Sequence, residues 1–92
     1  MAVSTQTRQP YSVMATARGQ KSLDKCPSEV KEVARGLRDD PRPHGAIKMT
    51  VTPEWRIRIG DYRLIYQIDD RTHTVRVLFA AHRRDVYMEW ER

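Results

Sequence analysis

Between Trp55 and Ile68 the chain runs WRIRIGDYRLIYQI, largely alternating apolar and polar positions. Such alternation predicts strands, whose successive side chains point to opposite faces. Gly60-Asp61 in the middle supplies a two-residue hairpin turn. Pairing Ile59 with Tyr62 sets the whole register: Arg58 opposite Arg63, Ile57 opposite Leu64, Arg56 opposite Ile65 and Trp55 opposite Tyr66. One face then collects Trp55, Ile57, Ile59, Tyr62, Leu64 and Tyr66, a core face. The other carries Arg56, Arg58 and Arg63. Like charges directly opposite in a ladder are destabilising, so a fold that keeps this arrangement is expected to hold an anion there.

The rest of the chain reads as follows. Val30, Val33, Ala34 and Leu37 within PSEVKEVARGLRDD fall on one face of a helix. Arg35 and Arg38 lie late in it, where cations suit the dipole, with Asp39 and Asp40 at its end. A second helix is expected over 16–25, with a weaker pattern interrupted by Gly19. Pro41, Pro43 and His44-Gly45 form a loop. Short strands are expected at 11–14 and 47–51, with Pro53 opening the next turn and a longer polar turn at 69–73. Over 74–81 a strand should place Val75, Val77, Phe79 and Ala81 on one face, and Arg76, Leu78 and Ala80, with His82 beyond, on the other. A short helix follows from Arg83 to Trp90, with Val86 and Trp90 on one side. Residues 1–10 read as a flexible arm and 11–92 as one domain. Helices and strands are segregated along the chain. This predicts an α+β fold: a mostly antiparallel sheet of four to five strands, two N-terminal helices on one face and a short C-terminal helix.

Composition narrows the partners. The 92 residues carry 17 Lys and Arg against 12 Asp and Glu, a formal charge of +5, and the pI is near 9.8. The balance favours anionic partners, nucleic acid first, against the plainer reading of a solvated basic surface. The single cysteine, Cys26, excludes an internal disulfide and a Cys-based zinc cage, and its expected place is a buried or half-buried helix end. With three scattered histidines and no paired carboxylates, neither metal nor cofactor is expected. No apolar run approaches the roughly 18–20 residues of a membrane span. The opening MAVSTQTRQP lacks a signal-peptide core. The expected place is the cytoplasm, away from membranes.

The candidate chemistry gathers at one end of the sheet. Strand 74–82 is expected beside strand 62–68, which brings His82 and Arg83 towards the hairpin. Tyr87 lies one helical turn beyond Arg83. Arg56, Arg58, Arg63, His82, Arg83 and Tyr87 thus form a candidate constellation. Each has an ordinary alternative. Strand arginines are commonly solvated, Arg63 could pair with Asp61 or Asp85, His82 could be structural, and Tyr87 could pack on Trp90. The joint pattern is the stronger argument, because independent surface charges need not collect at one end of one face.

WRIRIGDYRLIYQIDD followed by HRRDVY resembles the signature of RelE-type toxins of the RelE/ParE superfamily of bacterial toxin–antitoxin systems. SLDKCPSEV, in the place of the family's turn between helices, and DDPRPHGAIKM, leading into the second strand, agree with it. The resemblance covers roughly 11–87. Cys26 stands where leucine is usual, and Lys48-Met49-Thr50 where Lys-Leu is usual, changes that do not touch the candidate site.

The resemblance implies a concave basic sheet face and an endoribonuclease that enters the ribosomal A site and cuts messenger RNA. It implies binding of the RNA by Arg56, Arg58 and Lys48. The catalytic set it implies is Arg63, Arg83 and Tyr87, with His82 as the histidine some relatives use. It also implies a cognate antitoxin as partner. Where relatives have lysines this chain has arginines, which bind phosphate bidentately but are poor proton donors. RNA is cut without metal when its 2′-hydroxyl attacks the adjacent phosphorus, which needs a base, charge stabilisation and a leaving-group proton. Arginines suit the second task, and Tyr87 or His82 the first. Two rivals share the fold: a ParE-like inhibitor of DNA gyrase, and a nuclease-dead module that binds RNA or a partner.

Overall fold

The structure, a computed structural model, describes residues 9–90 apart from the side chains of 87–89. Of the expected arm at 1–10, only Gln9 and Pro10 fall within the described residues. The elements run β1 (Ser12–Ala15), α1 (Ala17–Asp24), α2 (Ser28–Gly36), β2 (Ile47–Lys48), β3 (Trp55–Ile59), β4 (Tyr62–Asp69), β5 (Thr74–His82) and α3 (Arg83–Glu89). The strands form one sheet in the order β1-β5-β4-β3-β2. All pairs are antiparallel except β1 with β5, which is parallel. This is the α+β fold expected. No described helix is long and apolar enough to cross a membrane.

The β3–β4 hairpin has the register deduced from its sequence, Ile59 with Tyr62 through Trp55 with Tyr66. Gly60 turns the chain at φ +58°. Asp61 is not among the positive-φ residues, so glycine at the first central position fits a type II′ turn.

Gly19, which weakened the helix pattern, is there for packing. β1 ends at Ala15, level with Val77, and leaves the rest of that β5 edge without a strand neighbour. α1 covers it. Thr16 donates its N–H to the Val77 carbonyl at 3.0 Å. The Ala80 N–H donates to Ser22 Oγ at 3.0 Å. Gly19 lies so close that an added Cβ would stand 2.2 Å from the Val77 oxygen. Thr16 also caps the helix, its side chain accepting from the Gly19 N–H at 3.0 Å.

Three expectations need correction. α2, the helix expected within PSEVKEVARGLRDD, ends at Gly36 rather than running to Asp40. Leu37, Arg38 and Asp39 each bond three residues back, a tightened last turn that drops the fully buried Leu37 into the core. The strand expected over 47–51 keeps only Ile47 and Lys48. Thr50 to Pro53 loops out of the sheet, closed by the Met49 N–H on the Glu54 carbonyl at 2.9 Å. The largest correction concerns β5. The register with β4 slips between Ile65 and Tyr66, which oppose Phe79 and Val77 and leave Leu78 as the extra residue of a bulge. Val75 and Val77 therefore share the helix-side core with Ala80. Phe79 and Ala81 turn to the opposite face.

The main core lies between the sheet and α1 and α2, built from Cys26, Val30, Ala34, Leu37, Ile57, Ile59, Leu64, Tyr66, Val75, Val77 and Ala80. On the far side, Val86 and Trp90 pack with Ile65 and Phe79. The arginine-bearing face is thus partly roofed by α3 and not wholly open.

Candidate functional site

Residues paired across strands share a face, so the registers turn the far side of the sheet into rows. One row, at the hairpin end, is Arg58–Arg63–Ala81. The next is Ile47–Arg56–Ile65–Phe79, crossing four strands. A third holds Gln67–Arg76–Met14. The cationic rows flank an apolar centre on which Trp90 and Val86 rest.

Arg58 and Arg63, though opposite each other, have different surroundings. Arg58 is exposed. Arg63 is only 9% exposed, and its Nη1 donates to the carbonyls of Gly60 at 3.1 Å and Tyr62 at 3.0 Å. The turn backbone thus holds one guanidinium of a like-charged pair. Arg63 therefore pairs with carbonyls rather than with Asp61 or Asp85 in these bonds. Asp61 instead meets Arg83, whose Nε lies 3.9 Å from its carboxylate and whose N–H donates to its carbonyl at 2.7 Å. That approach fixes the start of α3 against the hairpin turn and keeps Arg83 at the same end of the sheet as Arg63. Arg56 is half-buried in the second row.

The remaining candidates divide. His82 does not join the arginines. It pairs with Tyr62, and the two rings meet edge-on at 5.5 Å. Both residues line a hollow on the α1 side together with Arg18, Lys21 and Lys25. The His82 Nδ1 accepts from the Arg84 N–H at 3.2 Å and so caps α3. Lys48 pairs with Trp55 at the sheet edge, off the arginine row, but lines a hollow with Arg56. Tyr87 belongs to α3, and its side chain lies outside the described residues.

Two contributors were not singled out from sequence. Arg18 reaches from α1 around the β5 edge, its Cζ 4.7 Å from the Phe79 ring centre and 5.3 Å from that of Trp90. Phe79 and Trp90 are themselves stacked at 6.0 Å. Their cation–π geometry adds a guanidinium to the middle of the face. Arg76 supplies another at the far row. Nothing in the periodicity marks Arg18, because its position depends on α1 lying along a strand edge.

A surface of this kind, with guanidinium groups from three strands and a helix beside aromatic rings, suits a phosphodiester backbone carrying unpaired bases. Comparisons with known proteins identify the family. Residues 15–87 match the family described as ParE toxin of the type II toxin–antitoxin system parDE. Toxin RelG of Mycobacterium tuberculosis is 34% identical over 84 residues, spanning 85% of this chain and 97% of its own. Among solved structures, the RelBE2 toxin–antitoxin complex of the same organism superposes with a TM-score of 0.65 at 29% identity, covering 79% of this chain and 98% of that one. The archaeal RelE–RelB complex of Pyrococcus horikoshii gives 0.68 at 26% identity, covering 80% and 96%.

Proposed function

Because this chain belongs to the RelE/ParE family and is the toxin of a type II toxin–antitoxin system, we propose that it stops translation by cutting messenger RNA in the ribosomal A site. The observation that carries the reading is the Arg58–Arg63 pair with Arg56 in the adjoining row. Side-by-side cations raise the free energy of the empty protein and are relieved when a phosphate sits between them. The reaction is attack of the 2′-hydroxyl on the adjacent phosphorus, with the 5′-oxygen leaving. Arg63 and Arg83 neutralise the charge that builds on the phosphoryl oxygens, and Arg56 holds the flanking backbone. Arg58 serves either phosphate.

The base is Tyr87 in this reading. Histidine is the residue type best suited to that role near neutral pH, but His82 lies on the other face. A tyrosine at its ordinary pKa of about 10 is ionised about once in a thousand at pH 7, and adjacent guanidinium groups favour the phenolate. This is a weak acid–base set, and dependence on the ribosome compensates for it. Holding the message in attack geometry can contribute roughly 7–11 kcal/mol. The work is then cytoplasmic. The antitoxin that silences it would be an acidic or amphipathic chain, by charge complementarity to a protein of net +5. The two solved structures compared above are toxin–antitoxin complexes.

A second reading has its own support, since the matching family is described by its ParE members. In it the same face engages DNA gyrase and cuts nothing. Primer extension on messages from expressing cells, run beside a gyrase supercoiling assay with purified protein, decides between them. Cleavage ends within translated codons with supercoiling untouched support the nuclease. Lost supercoiling with intact message overturns it.

A further inference from the structure

Beyond the cations, the second row of the sheet ends in an apolar residue that no core cluster of the described residues includes. Ile47 is 56% exposed at the β2 edge, on the same face as Arg56. Beside it the sheet rim opens into a hollow of about 710 Å³ lined by Ile47, Lys48, Met49, Glu54, Arg56 and Trp90 among others. Exposed apolar side chains on an edge strand are an aggregation liability, and no packing in the described structure covers this one.

We propose that this hollow is a nucleobase subsite, which takes an unpaired base of single-stranded RNA next to the phosphate held by the arginines. The proposal rests on the reading of the face as an RNA-binding surface. Its chemistry is divided in the way a nucleotide is. Arg56 stands at the boundary, within reach of a backbone phosphate on its hairpin side. Ile47, Met49 and the indole of Trp90 offer apolar and aromatic surface on the other. Glu54 lies there too, its carboxylate accepting from Gln67 Nε2 at 3.2 Å. Lys48 and Arg56 outweigh it by one charge, so it is the apolar and aromatic lining, not repulsion of a phosphate, that favours a base there. Stacking on an aromatic ring is the usual way single-stranded RNA is held without sequence readout.

The test uses the two tryptophans. Trp55→Phe leaves Trp90 as the sole reporter. This protein is titrated with a short single-stranded RNA made uncuttable by 2′-O-methyl groups, and in parallel with inorganic polyphosphate of equal charge. The RNA should change Trp90 emission saturably and the polyphosphate should not. Adding Ile47→Ala, at an exposed position, should weaken RNA binding about tenfold, the loss of one base contact, and leave polyphosphate affinity unchanged. Equal effects on both ligands, or RNA binding that leaves Trp90 emission unaltered, would overturn the subsite. If RNA alters Trp90 emission as expected but ribosomes loaded with message are not cut, the subsite stands and the nuclease reading falls.

Discussion

Arg58 and Arg63 are direct cross-strand partners, and only Arg63 is buried with its Nη1 bonded to turn carbonyls. Their roles should therefore separate on mutation. Arg58→Thr places a good strand former at an exposed site and removes the like-charge contact. It should raise stability by about 0.2–1 kcal/mol, the size of a cross-strand pair term, while weakening growth inhibition on expression. Urea unfolding and a plate assay on the same variant check the two halves. A variant that is both more stable and fully toxic would remove Arg58 from the site.

Arg63 and Tyr87 should behave differently from His82. Arg63→Lys keeps a charge but loses the planar guanidinium, whose Nη1 bonds two turn carbonyls and which we propose also holds the scissile phosphate, and Tyr87→Phe removes the phenol alone. Each should abolish growth inhibition, with circular dichroism showing the fold retained. His82→Asn replaces one helix cap with a residue favoured at that position, on the face away from the arginines. It should leave growth inhibition intact. A toxic Tyr87→Phe variant together with a harmless His82→Asn variant would hand the base role to His82.

How much of this was legible depended on local constraint. The hairpin register could be read because a Gly-Asp turn and strict alternation on β3 leave one pairing. The faces of β5 could not. Val75, Val77, Leu78, Phe79, Ala80 and Ala81 are apolar on both sides of the strand, so alternation carried no signal for the bulge at Leu78, and His82 was assigned to the wrong face with it. Arg18 was invisible for another reason: its position is set by α1 replacing β1 along the β5 edge, a tertiary relation. Gly19, read as a weakness of the helix, is the residue that permits that relation.

Gly19 and Gly36 provide a matched pair. Both are helical, and Gly→Ala in a helix interior ordinarily gains up to about 1 kcal/mol. At Gly36 a Cβ meets nothing within 4 Å, so Gly36→Ala should be neutral or stabilising by up to about 1 kcal/mol. At Gly19 the Cβ would lie 2.2 Å from the Val77 oxygen and 2.9 Å from its carbonyl carbon. Backbone cannot rotate away as a side chain can, so α1 must lift off β5. Gly19→Ala should cost about 1–3 kcal/mol, the usual range for overpacking. Chemical denaturation of both variants under one set of conditions checks the sign at each site.

Asp70 gives the fold a pH dependence whose sign is fixed. Its carboxylate accepts from Arg42 at 2.8 and 3.3 Å and from the Tyr11 hydroxyl at 2.5 Å. The bond from Arg42 first, then that from Tyr11, holds its pKa down to about 2. The unfolded chain binds the same proton near pH 3.9. A carboxyl depressed in the folded state contributes stability that is fully present above the unfolded value and lost as pH falls through the folded one. The contact ties the start of β1 and the loop after α2 to the β4–β5 turn, so its loss should loosen all three. Asp70→Asn should thus unfold at lower denaturant than the parent at pH 7. The gap between them should narrow below about pH 5, be mostly gone at pH 2 and close only below it. Paired urea titrations at pH 7, 4, 3 and 2 measure it, and a gap unchanged across that series would show that the Asp70 charge contributes nothing to folding.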